Sequence, residues 1–371
     1  MTAAALFAVG GTAIAALCLL LSLAIVARRG LRERAHRRAR ALAEPHRQLL
    51  VALVVDDDVD QAHLATLLRL DAATWAALEP VVVSMVRKLR GEAREVLVDL
   101  LDRRGTIARL TRRLSSRGAV RRARSAELLG LLGEHAPRAE LERLLVRDHD
   151  PEVRIVAARA LGEIGDPASA PALLSAVSGP HAVPMRIVAR SLARLGPGAA
   201  TALVEAMTSA EAPARAVAAE ILGLGGAVTA VGVLSSHALR DPDDDVRIRC
   251  ARALGRIGVP SALSVLRRCV EPEEPAALRA VAARAVGDVG GAEAVRLLRP
   301  LLADVEHRVA SNAARSLAGL GLVGLAVLHE VVDADEPGAT YAAEALAVHD
   351  LARPRVDSVQ APGPTPVRSS S

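Results

Sequence analysis

The stretch DPEVRIVAARALGEIGDP, Asp150 to Pro167, decides the fold, because the chain writes it repeatedly with small changes. Within it Val153, Val156, Ala157, Ala160, Leu161 and Ile164 recur at helical spacing and form one apolar face. Asp150 is a good N-cap with Pro151 at the first helical position. Gly165 supplies the left-handed residue that ends the helix. The spacing therefore predicts a capped amphipathic helix of about four turns.

Laying the chain on itself with Ala158 as reference gives Ala126, Ala189, Ala219, Ala251, Ala283, Ala314 and Ala343, separated by 29 to 32 residues. Three residues further on stand Leu129, Leu161, Leu192, Leu222, Leu254, Val286, Leu317 and Leu346. Seven residues after the reference come Gly133, Gly165, Gly196, Gly226, Gly258, Gly290 and Gly321, the last copy lacking this glycine. Between these helices lie ASAPALLSAV, GAATALVEAM, PSALSVLRRCV and AEAVRLLRPLL, each long enough for a second, antiparallel helix. A single pair cannot bury its apolar face, whereas stacked pairs share one continuous core. The expected fold class is all-α, a right-handed α-solenoid of helix pairs. At about 8 to 10 Å per packed helix layer, eight pairs would make a curved rod on the order of 80 Å long.

From Met1 to Ala27 no side chain is charged, and about 20 apolar residues suffice to cross a bilayer as a helix. A basic leader and a small-residue cleavage site are both missing, so the run reads as a single transmembrane helix and not as a signal peptide. Arg28, Arg29, Arg32, Arg34, Arg37, Arg38 and Arg40 follow it, facing only Glu33. Positive charge flanking a span stays on the cytoplasmic side. The expectation is thus an inner (plasma) membrane protein with its N-terminus outside and its repeats in the cytoplasm. The same arginines are candidates to meet lipid headgroups. The expected organisation is a transmembrane helix over 1–27, an Arg-rich juxtamembrane helix over 28–48, the solenoid over 49–352 and a disordered Pro- and Ser-rich tail over 353–371.

The net charge of +5 is unevenly placed. Residues 28–40 carry +6, and a second block, Arg103 to Arg124, holds nine arginines and no acid, leaving the remainder at about −10. That second block is a candidate to meet lipid headgroups or an acidic partner face. A nucleic-acid array would spread its charge along its length, and here the distal array is mildly acidic. Phe7, Trp75 and Tyr341 are the only aromatic residues, so the core is built from Ala, Leu, Val and Ile. Cys18, Cys250 and Cys269 have no paired spacing and read as reduced thiols, Cys18 in the apolar run and the other two inside helical patterns. The acidic run Asp56, Asp57, Asp58 and Asp60 lacks the glycine and the bidentate glutamate of a calcium loop, and reads as a turn opening a helix.

The segments DPEVRIVAARALGEIGDP, DDVRIRCARALGRIGVP and LRAVAARAVGDVGG resemble short HEAT-like repeats found in bacteria, including the phycobilisome-lyase type. One N-terminal span, an Arg-rich collar and such repeats together resemble membrane-anchored HEAT-repeat proteins of high-GC bacteria. The resemblance implies a protein-protein interaction scaffold beside envelope-building membrane enzymes, with a membrane glycosyltransferase as partner. It also raises three enzymatic alternatives. Deoxyhypusine hydroxylases hold iron through several His-Glu pairs, and here His329-Glu330 stands without a repeat partner. HEAT-like DNA glycosylases need aromatic side chains around an extruded base, and bilin lyases need aromatic groove walls; neither supply exists outside the N-terminal run beyond Trp75 and Tyr341. The expectation is a non-enzyme with no cofactor and no metal, with a bilin-lyase-type enzyme as alternative and a nucleic-acid-binding protein third.

One candidate binding feature emerges from the repeat itself. The residue after each reference alanine is charged: Glu127, Arg159, Arg190, Glu220, Arg252, Arg284, Arg315 and Glu344. Stacking would align these residues as a ridge pointing away from each helix's apolar face. The competing reading is a solvated face with local pairs, such as Arg159 with Glu163 or Arg284 with Asp288.

Overall fold

A computed structural model describes residues 3–55 and 61–352; the side chains of 3–18 and of Ala24, Arg32, Ala35, Val55, Gln61 and Ala352 fall outside that description. The acidic run at Asp56–Asp60, the tail from residue 353 and Cys18 therefore lie outside the described residues or side chains. Among the described residues every regular element is a helix. The chain divides into two compact units, Met1–Leu144 and Leu145–Ser371.

The first unit begins with α1 (Ala3–Val55), followed by α2 (Gln61–Leu68), α3 (Ala72–Val86), α4 (Glu92–Arg103), α5 (Thr106–Arg113) and α6 (Ala119–Leu131). The late turns of α1 bury Ala43, Leu50 and Leu53. This helix packs on α3 and on α4, which buries Leu97, Val98, Leu100 and Leu101. Trp75 is buried in α3 with the Arg104 guanidinium 4.7 Å from its ring centroid, and Arg104 also donates to the Leu68 carbonyl at 2.8 Å. The ring face and the Leu68 carbonyl together accommodate the cation beside an apolar core, although its Nε is buried without a hydrogen-bond partner.

The expected transmembrane span is overturned. Among the described residues no helix is long and apolar enough to cross a membrane. α1 continues without a break through Arg28–Arg40. The plasma-membrane placement, and the orientation drawn from the arginines after the run, fall with the span.

α7 (Arg138–Arg147) spans the point of division. In the second unit one row of helices comprises α8 (Pro151–Ile164), α10 (Met185–Arg194), α12 (Ala212–Leu224), α14 (Asp244–Ile257), α16 (Ala276–Val289), α18 (His307–Gly319) and α20 (Ala339–Ala352). The alternating row comprises α9 (Ala170–Ser175), α11 (Ala200–Ala206), α13 (Val231–Arg240), α15 (Leu263–Cys269), α17 (Gly291–Leu298) and α19 (Gly321–Asp333). Each helix of the first row packs on the next, whereas neighbours in the second row touch less. This is the stacked helix-pair order of an α-solenoid.

The sequence columns explain the tight row. Ala158, Ala219, Ala251, Ala283 and Ala314 are buried, as are Leu161, Leu192, Leu222, Leu254, Val286 and Leu317. Ala343 is exposed, because α20 has no following repeat against it among the described residues. Asp150 caps α8 by accepting from the Glu152 and Val153 N–H groups, and Gly165 and Gly258 end α8 and α14 in the left-handed conformation. The repeat headed by HAVP starts its helix late, with Pro184 as N-cap of the 10-residue α10 against 14 residues in α8. Proline cannot sit further in without removing a ladder hydrogen bond.

Candidate functional site

Two arginine columns run along the first row of the second unit, and they have opposite environments. Four residues before the reference alanines stand Arg154, Arg215, Arg247 and Arg279. Arg154, Arg215 and Arg279 are buried, and the Arg247 side chain is only 13% exposed. Arg154 donates to the carbonyls of Asp148 at 2.8 Å and His149 at 3.2 Å, closing the loop ahead of its own helix. Arg215 does the same with Ser209 and Ala210, then forks onto the Asp241 carboxylate in the next repeat at 2.8 and 2.7 Å. Arg279 repeats the pattern with Glu274 and Pro272 carbonyls and with Asp304 at 3.1 and 2.9 Å. Arg247 donates to the Ala238 carbonyl at 3.2 Å and pairs with Glu274 at 2.5 Å.

Burial pushes the Asp241 carboxyl up, but donors reverse the direction. The Arg215 fork, the Asp243 N–H at 3.0 Å and the His237 ring at 2.7 Å together hold it below the usual carboxylate range. Asp304 is likewise raised by burial and lowered further by Arg279 and the Glu306 N–H. The hydrogen bond to Asp241 raises Arg215 above its ordinary value. This column is structural: all four arginines donate to loop or helix carbonyls, and Arg215, Arg247 and Arg279 also pair with an acidic residue of the next repeat, while the Nε of Arg154 is buried without a partner. The sequence reading did not single it out, although the recurring VR of PEVR and DDVR, and the aspartates ten residues before Ala158, Ala251 and Ala314, are its signature.

The second column is the predicted ridge. One residue past each reference alanine the helix has turned about 100°, which carries the side chain off the packing face. Arg159, Arg190, Arg284, Arg315 and Glu344 are exposed, and Glu220 and Arg252 are half-buried. Arg284 reaches Asp288 at 4.0 Å and Arg315 reaches Glu344 at 3.9 Å, both well exposed, and Glu220 pairs with Arg249. Arg159 does not take Glu163, which goes instead to Arg194 of the next repeat at 2.6 Å. Arg159, Arg190 and Arg252 have no ion pair among the described residues. Glu127, in the first unit, is exposed and lies 3.7 Å from Arg87.

Of the candidate headgroup arginines, Arg28, Arg29, Arg34, Arg37, Arg38 and Arg40 are exposed on α1, with Arg37 3.4 Å from Glu33; Arg32 is outside the described side chains. Without the span, nothing places them at a bilayer. No group of three or more His, Cys, Asp or Glu gathers as a metal site among the described residues, and Glu330 is committed to Arg299 at 2.9 Å. Cys250 and Cys269 are free and buried, and burial pushes the Cys269 thiol up to about 12 and Cys250 further still, so neither is a nucleophile at neutral pH. A groove of about 460 Å³ between α17, α19 and the loop at Pro337 has an apolar floor of Val295, Leu302 and Val331 with Arg299 and Glu336 at its edge. It gathers no acid-base or nucleophilic pair.

A family model described as HEAT repeats matches residues 107–193 and 200–276. The match to that family is confined to these two segments, less than half of the chain. Among solved structures, the karyopherin Kap121p bound to Nup53p aligns at 15% identity and TM-score 0.53 over 85% of this chain and 41% of that one. Kap121p bound to the SUMO protease Ulp1p aligns at 14% identity and TM-score 0.53, covering 84% and 39%. The chain thus spans about two fifths of Kap121p, and the likeness is one of HEAT solenoid fold. Human deoxyhypusine hydroxylase aligns at 18% identity over 78% of this chain and 97% of its own, but at TM-score 0.30, too low to bear on activity. No curated protein matches the chain in sequence.

Proposed function

We propose that the protein is a HEAT-repeat interaction scaffold whose second unit binds a protein partner along the exposed arginine column. One observation carries this reading. The buried arginines spend their donors on the fold, while Arg159, Arg190 and Arg252, one repeat face away, have no ion partner among the described residues. An arginine fork left open on a rigid row of helices is suited to carboxylates of a partner. That HEAT solenoids can hold proteins is illustrated by Kap121p, whose structures include Nup53p and Ulp1p complexes. The fold offers an extended surface without convergent catalytic groups, which favours a binding role over the lyase reading. The glycosyltransferase partner and the lipid contact depended on a membrane span and are not carried forward.

Capture by the full chain, with and without Arg159→Glu, Arg190→Glu and Arg252→Glu, tests the reading. A protein retained by the native chain and lost by at least about tenfold on charge reversal is the expected result. Equal capture by both chains would move the binding surface elsewhere.

A further inference from the structure

We infer that the first unit carries a second, separate docking surface, an arginine patch centred on Val120 that fits an acidic protein segment bearing an apolar side chain. The patch is built by the end of α5, the loop after it and the start of α6. Arg112, Arg113, Arg117, Arg121 and Arg124 are all exposed and make no ion pair or side-chain hydrogen bond among the described residues. Other arginines of the same basic block are used by the fold: Arg103 pairs with Asp99, Arg104 covers Trp75, Arg109 pairs with Glu79, and Arg122 donates to the carbonyls of Ser116 and Arg117. The five that remain are surplus to it.

Their placement adds a second argument. Arg112 and Arg113 close α5, where its own carbonyl end welcomes positive charge. Arg121 instead stands in the first turn of α6, which has no acidic residue, so its positive charge adds to the helix's own positive end without compensation. Val120 is 81% exposed beside them. On a helix, Val120, Arg121 and Arg124 lie within about 100° of arc, so the valine sits among the charges and not on the core side. Glu127 shares this face one turn along, and it faces Arg87.

The valine chooses among polyanions. Duplex nucleic acid would engage the arginines through phosphates and leave Val120 unused. Single strands would require stacking aromatics, and this unit's Trp75 is buried beneath Arg104. A carboxylate-rich peptide with one apolar side chain uses both features.

The test uses the full chain and a fluorescein-labelled polyglutamate peptide with one central leucine, read by fluorescence anisotropy. Combined Arg117→Glu, Arg121→Glu and Arg124→Glu should weaken binding about tenfold or more, and Val120→Gln a few-fold. The Arg159→Glu, Arg190→Glu and Arg252→Glu chain should bind this probe as the native chain does, which separates the two surfaces. All substituted side chains are exposed apart from half-buried Arg252, and unchanged helix content by circular dichroism confirms folding. Absence of binding, binding unaffected by the triple change, or equal affinity for duplex DNA with indifference to Val120 would each overturn the proposal.

Discussion

Asp241 takes donors from three directions: the Arg215 fork, the Asp243 N–H and the His237 ring. Its side chain is fully buried, so removing it leaves the Arg215 guanidinium, 8% exposed, without a counter-charge. Breaking a buried pair from one side costs about 3 to 5 kcal/mol. Asp241→Ala should therefore destabilise by that amount in urea unfolding, and Arg159→Ala, on the exposed column, by no more than about 0.5 kcal/mol. The same carboxylates set an acid limit. Asp241 and Asp304 have folded pKa values below their unfolded ones, so their contribution is complete above about pH 4. It is lost as pH falls through the depressed folded values, because protonation then favours the unfolded chain. Thermal midpoints followed from pH 7 to pH 3 should drop more steeply for the native chain than for a chain carrying Asp241→Asn and Asp304→Asn. This column escaped the sequence reading because an arginine on an amphipathic helix reads as a surface charge. Only the neighbouring repeat's loop, about 26 residues away in sequence, reveals that it is buried.

At the scale of the helix, closeness of approach is set by residues without side chains. A Cβ on Gly255 would stand 2.6 Å from Ala285 Cα, and one on Gly223 would stand 2.6 Å from Ala253 Cα. Ala in place of Gly gains about 1 kcal/mol of helix propensity, but overpacking costs about 1 to 3 kcal/mol. Gly255→Ala should be a net loss, whereas Gly232→Ala, near the start of α13 with open space around its Cβ position, should be neutral or slightly stabilising. Denaturation midpoints of the two variants decide this. Helix starts, ends and apolar faces were legible in DPEVRIVAARALGEIG, since caps and periodicity are local. The tight glycines, four residues after the reference alanines, were not, because a glycine inside a helix reports a neighbour only once that neighbour is placed.

For the whole molecule, repetition made the solenoid legible, because the same columns must solve the same packing problem in every copy. The N-terminal run was misread for the converse reason. An apolar stretch followed by arginines has one local signature, whether it ends at a bilayer or continues as one helix like α1, whose later turns pack against α3. The exposed ridge was legible as a column, but its division into paired and open members was not: Glu163 turned to Arg194 and left Arg159 open. On the proposed function, these open arginines are where a partner sits. The most direct measurement is phenylglyoxal footprinting by mass spectrometry, of the chain alone and with its captured partner. Protection of Arg159, Arg190 and Arg252 is the expected result, with exposed Arg267 and Arg268 of α15 reacting as before. Protection of Arg267 and Arg268 with the ridge still reactive would contradict it.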